Sequence, residues 1–200
     1  MILRIIRVIV RGIMHIIYNL KVTGMENVPK KGGFIVACNH QSYADPFFIG
    51  IAIKARYGFM AKVELFKNKL FAWFIRAFGA FPVTRGAGDT SAIDRAVEVV
   101  KEGRALIIFP EGTRNKKRDG TVLRGKSGIS VIISQTGADV VPMAISYGGR
   151  ALIRRKVRVN VGKVITADQL KLDPQNRSDL KRVSGLIMDE VGSLLVQANG

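Results

Sequence analysis

Residues 34–45 have the sequence FIVACNHQSYAD, in which five apolar residues are followed at once by a polar block containing His40 and Asp45. The apolar run has the length and composition of a buried strand. A second stretch, residues 105–114 with the sequence ALIIFPEGTR, repeats this arrangement and ends in Arg114. Ligands of open α/β sheets bind beside the carboxyl ends of parallel strands, so both polar blocks are expected at one binding edge.

The remainder of the chain alternates short apolar runs with helical patterns. Further strands are predicted at 81–84, 140–146 and 157–161, and helices are predicted from Pro46, over 90–101, over 126–136 and over 178–198. This alternation predicts a single layered α/β domain with a central mixed, mostly parallel sheet flanked by helices. A chain of 200 residues is long enough to bury one such core.

The composition indicates an anionic partner. Lys and Arg number 32 against 15 Asp and Glu, which gives a net charge of +17, and 48% of the residues are hydrophobic. Net charge alone does not separate nucleic acid from anionic lipid. Nucleic-acid binding predicts aromatic residues interleaved with basic runs, and the basic run RALIRRK at 150–156 contains none. We therefore expect an anionic membrane surface as partner and no nucleic acid.

The first twenty residues predict an amphipathic helix. Arg4, Arg7, Arg11 and His15 are spaced three or four residues apart and form one stripe on a largely aliphatic segment. No apolar run reaches the ~20 residues that a membrane-spanning helix needs. The pattern is typical of a helix lying on a membrane surface, and a helix packed inside the domain is the alternative. We assign residues 1–22 to this helix and 23–200 to the main domain.

His40 and Asp45 are the candidate base and its partner. An imidazole can remove a proton from an alcohol near neutral pH when a carboxylate holds its tautomer. Five residues advance a regular helix by about 140°, so the pairing requires residues 41–44 to form a turn. Pro46 is favoured at the first helical position, which puts Asp45 at the N-cap. The alternative is that Asp45 only caps the helix while His40 hydrogen-bonds locally.

Residues 109–114 form the candidate anion site. Gly112 permits close approach, and the Arg114 guanidinium suits a bidentate grip on phosphate. Residues 114–126 hold six cations against one acid, and part of that charge belongs to an ordinary solvated loop. A third block at 79–85 also ends in an arginine, Arg85.

Two other segments have competing interpretations. Residues 62–78 mix aromatic residues with lysine and arginine, which is compatible with a core helix, the wall of an acyl-chain tunnel or a membrane-facing surface. Cys38, the only cysteine, could be proposed as a nucleophile, but a small buried thiol is ordinary in an apolar strand. A single cysteine forms no intrachain disulfide, which fits a reducing compartment.

Four blocks taken in order, at 40–45, 79–85, 109–114 and 141–145, resemble those of the glycerolipid acyltransferase family, specifically the lysophosphatidic acid acyltransferases. The resemblance spans residues 24–165 and makes 23–200 an acyltransferase domain. It implies transfer of a fatty acyl group from a thioester donor, acyl-CoA or acyl-carrier protein, to the 2-hydroxyl of 1-acylglycerol 3-phosphate, forming phosphatidic acid. It also implies a peripheral protein on the cytoplasmic face of the cell membrane.

The resemblance further implies roles for individual residues. His40 would be the general base and Asp45 its orienting partner. The substrate phosphate would be held by Lys62, Arg85 and Arg114, and the glycerol phosphate by Glu111 and Gly112, while 141–145 would support the thioester side. No metal and no cofactor apart from the donor are expected. Two other readings stay open: the same chemistry on another lysolipid acceptor, and a non-catalytic basic protein that binds membrane or nucleic acid.

Overall fold

A computed structural model describes residues 2–53, 55–84, 90–117, 120–148 and 155–199. Within these residues seven strands form one sheet, and helices cover both of its faces. The strands are β1 (Tyr18–Thr23), β2 (Ile35–Cys38), β3 (Tyr57–Lys62), β4 (Ala80–Val83), β5 (Ala105–Ile108), β6 (Val140–Gly148) and β7 (Arg155–Val161). The helices are α1 (Ile2–Ile17), α2 (Asp45–Ala52), α3 (Lys69–Ala77), α4 (Ser91–Lys101), α5 (Gly128–Thr136), α6 (Ala167–Leu170) and α7 (Arg177–Asn199).

The strands lie in the order β1-β7-β6-β2-β5-β3-β4. Strands β2 to β6 are mutually parallel, β7 runs antiparallel to β6, and β1 runs parallel to β7. The expected mixed, mostly parallel sheet is confirmed. All five predicted strands are present, with ends shifted by at most two residues.

Alternation along the strands divides the core between the two faces of the sheet. Val36 and Cys38 of β2 point to the side covered by α1, α2 and α3. Ile35 and Ala37 point to the side covered by α4, α5 and α7. Because successive side chains of a strand point to opposite faces, a strand buried on both sides is apolar throughout, as β2 and β5 are.

Two strands, β1 and β3, were not predicted. β1 follows α1 directly at Tyr18, so the N-terminal helix ends at Ile17, five residues before the end of the range 1–22 assigned to it. β3 occupies residues immediately before the aromatic segment 62–78. That segment forms a 3-10 turn, Val63–Phe66, followed by α3.

Helix α1 exposes apolar side chains at Val8, Ile9, Ile13 and Ile16, and it buries Met14 against the core. The side chains of the arginine stripe and of His15 lie outside the described part of the structure. Among the helices of the described residues, none combines the length and the apolar character needed to cross a bilayer.

Candidate active site

The carboxyl ends of the five parallel strands meet at one edge of the sheet, here called the carboxyl edge. The loop after β2 carries His40, and the loop after β5 carries Glu111 and Arg114. β6 also ends here, with Tyr147, and the antiparallel β7 begins here, with Arg155. The topology therefore gathers side chains from four segments that are far apart in the sequence.

The turn between β2 and α2 brings His40 against Asp45. The imidazole Nδ1 lies 2.8 Å from Asp45 Oδ2, and the Asp45 backbone N–H donates to the Ser42 carbonyl at 3.3 Å. The expected N-cap position is wrong by one residue, because α2 begins at Asp45 itself and Ala44 precedes it without a side-chain cap. The Asp45 carboxylate instead turns back over the loop, accepting from the backbone N–H groups of Gln41 and Ser42, each at 2.7 Å.

The other oxygen of Asp45 is occupied as well. The Tyr147 hydroxyl donates to Asp45 Oδ1 in a short hydrogen bond. Burial and the neighbouring Asp45 charge raise the pKa of Tyr147 well above its usual value, so the hydroxyl keeps its proton and acts as a donor. Asp45 is 0% exposed. In each side-chain contact described above, the Asp45 carboxylate is the hydrogen-bond acceptor.

These contacts fix the tautomer of His40. A carboxylate that only accepts requires the facing imidazole nitrogen to carry the hydrogen, so Nδ1 donates and Nε2 keeps its lone pair. The ring stacks on Phe109, with centroids 4.1 Å apart and planes inclined by 20°. Its side chain is 13% exposed. His40 therefore presents one nitrogen that can accept a proton at a partly open surface.

Backbone contacts hold the two loops together. Asn115 N–H donates to the His40 carbonyl at 2.7 Å, and His40 N–H donates to Glu111 Oε1 at 3.2 Å. The buried Asn39 amide continues the sheet by bonding both the N–H and the carbonyl of Ile145 on β6, at 2.8 and 3.0 Å. The position of His40 is thus set by β2, β5 and β6 together.

Glu111 is buried beside His40 and incompletely paired. Its Oε2 is buried and has no hydrogen-bond partner in the described structure. Burial, opposed by hydrogen bonds from the backbone and reinforced by the Asp45 charge, raises the pKa of Glu111 to about 7. Near neutral pH Glu111 exists in both protonation states, so Oε2 can either donate to or accept from a polar atom that enters the site.

Gly112 and Arg114 lie on the same loop. Gly112 has a positive φ of 67°, and an added Cβ would stand 3.0 Å from the Lys126 side chain, so a side chain at this position would be both strained and crowded. The Arg114 guanidinium stacks on the exposed Tyr43 ring, 3.6 Å from its centroid. That ring comes from the loop between His40 and Asp45, so the contact places a cation close to the base.

The other two expected phosphate ligands are placed differently. Lys62 ends β3 at the carboxyl edge, where its exposed amine pairs with Glu64 at 3.1 Å. No contact joins Lys62 to Arg114 or His40 among the described residues. Arg85 lies outside the described residues.

Cys38 is fully buried in β2. Burial, with the nearby Asp45 and Glu111 charges, raises the pKa of its thiol well above the usual value. A protonated thiol without solvent access is a poor nucleophile, so the structure disfavours a covalent role for Cys38.

Two residues at the carboxyl edge were missed by sequence reasoning. Tyr147 lies two residues beyond the fourth sequence block, and the Arg155 guanidinium lies 5.5 Å from the Tyr147 ring centroid. Arg155 Nε is buried and has no hydrogen-bond partner in the described structure. The only signal in the sequence was the predicted strand 140–146, because residues at the end of a parallel strand lie at the carboxyl edge. Within the described residues, no group of three or more His, Cys, Asp or Glu side chains could hold a metal ion.

Comparisons with known proteins cover most of the chain. A sequence model of a family described as Acyltransferase matches residues 19–146. The chain is 36% identical over 149 residues to the 1-acyl-sn-glycerol-3-phosphate acyltransferase of Bacillus subtilis, and the match covers 72% of each protein. It is 32% identical over 164 residues to the protein of that name from Streptococcus pneumoniae, covering 78% of this chain and 58% of that protein.

A solved structure has the same fold. The crystal structure of the 1-acyl-sn-glycerophosphate acyltransferase PlsC from Thermotoga maritima superimposes with a TM-score of 0.69 and 26% identity. The superposition covers 96% of this chain and 78% of that one. The residues that match the family model include both loops of the carboxyl edge that carry His40, Asp45, Glu111 and Arg114.

Proposed function

This chain belongs to the acyltransferase family, and from that premise we propose that it transfers a fatty acyl group from a thioester donor to the 2-hydroxyl of 1-acylglycerol 3-phosphate, forming phosphatidic acid. The observation that carries the proposal is the His40 and Asp45 pair, held at 2.8 Å beside a stacked arginine. A base poised next to a cation suits an alcohol that carries a phosphate. The names and identities of the relatives support the same acceptor.

The proposed reaction proceeds in one transfer. His40 Nε2 takes the proton of the 2-hydroxyl while its oxygen attacks the thioester carbonyl carbon. Asp45 stabilises the imidazolium through Nδ1. The carbon–sulfur bond then breaks, the thiolate leaves, and the imidazolium returns the proton to sulfur. The products are the new ester and the free thiol of CoA or of acyl-carrier protein, and neither an acyl-enzyme nor a metal is required.

Substrate binding is divided between the two loops after β2 and β5. Arg114 supplies a planar guanidinium for the phosphate, and we propose that Lys62 and Arg85 complete this cationic group. Gly112 lets the backbone approach the glycerol phosphate, and we propose that a polar atom of the substrate pairs with Glu111 Oε2, which has no hydrogen-bond partner in the described structure.

An apolar cavity provides room for acyl chains. It has a volume of about 340 Å³ and lies between α1, α2 and the end of α3. Phe47, which lies two residues after Asp45, lines it together with Val10, Met14 and Phe78. Phe47 is about half a helical turn from Asp45, and a cavity lined by aliphatic and aromatic side chains suits a fatty acyl group.

We also propose that α1 lies on an anionic membrane surface, as a peripheral attachment on the cytoplasmic face. The exposed Val8, Ile9, Ile13 and Ile16 and the arginines in the sequence of α1 support this placement. The free, buried Cys38 fits a reducing compartment. Nucleic acid is not a proposed partner.

Thiol release is the experiment that tests the reaction. Acyl-CoA and acyl-carrier protein are each supplied with lysophosphatidic acid, with lysophosphatidylcholine, or with no acceptor. Release that requires lysophosphatidic acid supports the proposal and identifies the donor. Release that depends equally on another lysolipid would assign a different acceptor, and no release with either donor, from folded protein supplied with lipid vesicles, would contradict the reaction class.

We expect Arg114→Ala to raise the KM for lysophosphatidic acid by about 10- to 100-fold and to change kcat little, because a charge-assisted contact to phosphate contributes roughly 1.5–3 kcal/mol of binding. Steady-state kinetics with varied acceptor measures the effect. Arg124→Ala is the matched control, since Arg124 is an exposed arginine of the same basic loop. Equal changes in both variants would mean that general charge, and not a contact to phosphate, accounts for binding.

We expect Tyr147→Phe to lower kcat about tenfold and to leave the KM for both substrates unchanged. The substitution removes the donor to Asp45 Oδ1, so the buried carboxylate holds His40 less firmly, and a loss of about 1.4 kcal/mol corresponds to a factor of ten. The control is Ser146→Ala, whose hydroxyl donates to Ala198 on α7. A kcat that stays at the wild-type value across the pH range would show that Tyr147 has no positioning role.

A further inference from the structure

Exposed apolar side chains are concentrated on two neighbouring helices. Among the described residues, nine of the twelve large apolar side chains that face solvent lie on α1 or in the 63–73 segment. The two segments are adjacent, because α1 contacts α3, and both helices pack on the same face of the sheet. The nine residues are Val8, Ile9, Ile13, Ile16, Ile17, Val63, Leu70, Phe71 and Trp73.

The outer face of α3 has the composition of an interfacial helix. Leu70 and Trp73 are three residues apart and are 76% and 49% exposed, so they are neighbours on one face. Lys69 and Arg76 are exposed on either side of them, and α3 contains no acidic residue. The opposite face of the helix buries Ala72, Ile75 and Ala77 in the domain.

We propose that this face of α3 is a second membrane-contact element, which lies in the interfacial region of an anionic bilayer beside α1. The inference rests on the proposed attachment through α1 and extends it to a second helix. Tryptophan favours the level of the lipid headgroups, and Lys69 and Arg76 can reach the phosphates while their aliphatic stems cover apolar surface. This mixture of tryptophan, leucine and cations favours lipid over an apolar protein partner.

The placement has a consequence for the cavity described above. Its lining includes Val8, Val10 and Met14 of α1 and Phe78, the residue that follows α3. One of the two proposed membrane-contact helices therefore lines the cavity, and acyl chains would pass between bilayer and protein beside α1 without crossing water.

Trp73 makes the test direct, because it is the only tryptophan of the chain. The full-length protein is mixed with vesicles of phosphatidylcholine and phosphatidylglycerol, with and without lipids brominated on the acyl chain. We expect its emission to move to shorter wavelength and to lose roughly half of its intensity with the brominated lipid.

The outcomes separate this inference from the proposed attachment through α1. Protein that co-sediments with vesicles while Trp73 emission stays unshifted and unquenched would overturn the role of α3 and leave α1 as the attachment. Protein that does not co-sediment would overturn both. A shift that depends on protein concentration in the absence of lipid would assign the α3 face to contact between copies of this chain.

A pair of matched variants gives an independent readout. Leu70→Gln is expected to weaken partition into the same vesicles by about five- to tenfold, since it removes an apolar side chain from the buried face. Leu186→Gln changes another solvent-facing leucine, 47% exposed on α7, and is expected to leave partition unchanged. Equal partition of the two variants would overturn the proposal. Neither leucine is buried, so both variants are expected to fold.

Discussion

His40→Ala is expected to lower the rate of acyl transfer by about 10²- to 10⁴-fold, the usual contribution of a positioned general base. The loss follows from geometry, because Asp45 holds Nδ1 of the imidazole and leaves Nε2 as the nitrogen that can accept a proton. Acceptor-dependent thiol release measures the rate. Thermal unfolding is expected to change little, since His40 is partly exposed and its main packing contact is one face of Phe109.

The control for this variant is the second histidine of the chain. The sequence has two histidines, and His15 lies on α1. His15→Ala is expected to keep wild-type turnover on acceptor supplied in vesicles. If the His40→Ala protein transferred acyl groups at the wild-type rate, the assignment of the base would be wrong.

Asp45→Ala is expected to reduce both activity and stability, in contrast to His40→Ala. Activity should fall by about 10³- to 10⁴-fold, because the imidazole loses the carboxylate that fixes its tautomer. The free energy of unfolding should fall by about 3 kcal/mol, because the buried N–H of Gln41, the partly buried N–H of Ser42 and the Tyr147 hydroxyl lose the Asp45 carboxylate as acceptor. Urea unfolding followed by circular dichroism measures the second effect.

The Asp94→Ala variant distinguishes the loss of the hydrogen bonds to Asp45 from the ordinary loss of an acidic residue in the first turn of a helix. Asp94 and Asp45 both lie in the first turn of a helix, but Asp94 is exposed. A carboxylate that acts only on the helix dipole contributes about 0.3–1 kcal/mol, so Asp94→Ala is expected to have a small effect. Similar losses of stability in the two variants would indicate that Asp45 serves as no more than a helix-end charge.

Much of the fold could be predicted from local sequence patterns. The two strands that were not predicted, β1 and β3, lack such patterns. β2 and β5 are buried on both faces, so uninterrupted apolar runs mark them. β1 alternates partly buried with exposed residues at the sheet edge and continues directly from α1, so no turn residue separates it from the helical pattern. β3 contains Gly58 and passes directly into a 3-10 turn.

The sequence was enough to predict several residues of the candidate site, but not the contacts between them. The four sequence blocks taken together, and not the spacing alone, singled out His40 and Asp45. Their contact depends on a turn in which the carboxylate itself accepts from the backbone N–H groups of Gln41 and Ser42. The contact of Tyr147 with Asp45 joins residues 102 positions apart. No local pattern encodes such a contact, because it arises only when β6 pairs with β2.

The pairing of β1 with β7 can form only late in the synthesis of the chain. Thr23 and Asn160 lie 137 positions apart, and their side chains are joined by a hydrogen bond of 2.7 Å. A ribosome that adds about 5–20 residues each second completes β7 about 7–28 seconds after β1 has been made. During that interval β1 has no strand to pair with, and α1, which joins it without a loop, is not yet fixed to the domain. Under the proposed attachment of α1, contact with lipid would precede completion of the domain, and the pairing of β1 with β7 would then fix the position of the carboxyl edge relative to the bilayer.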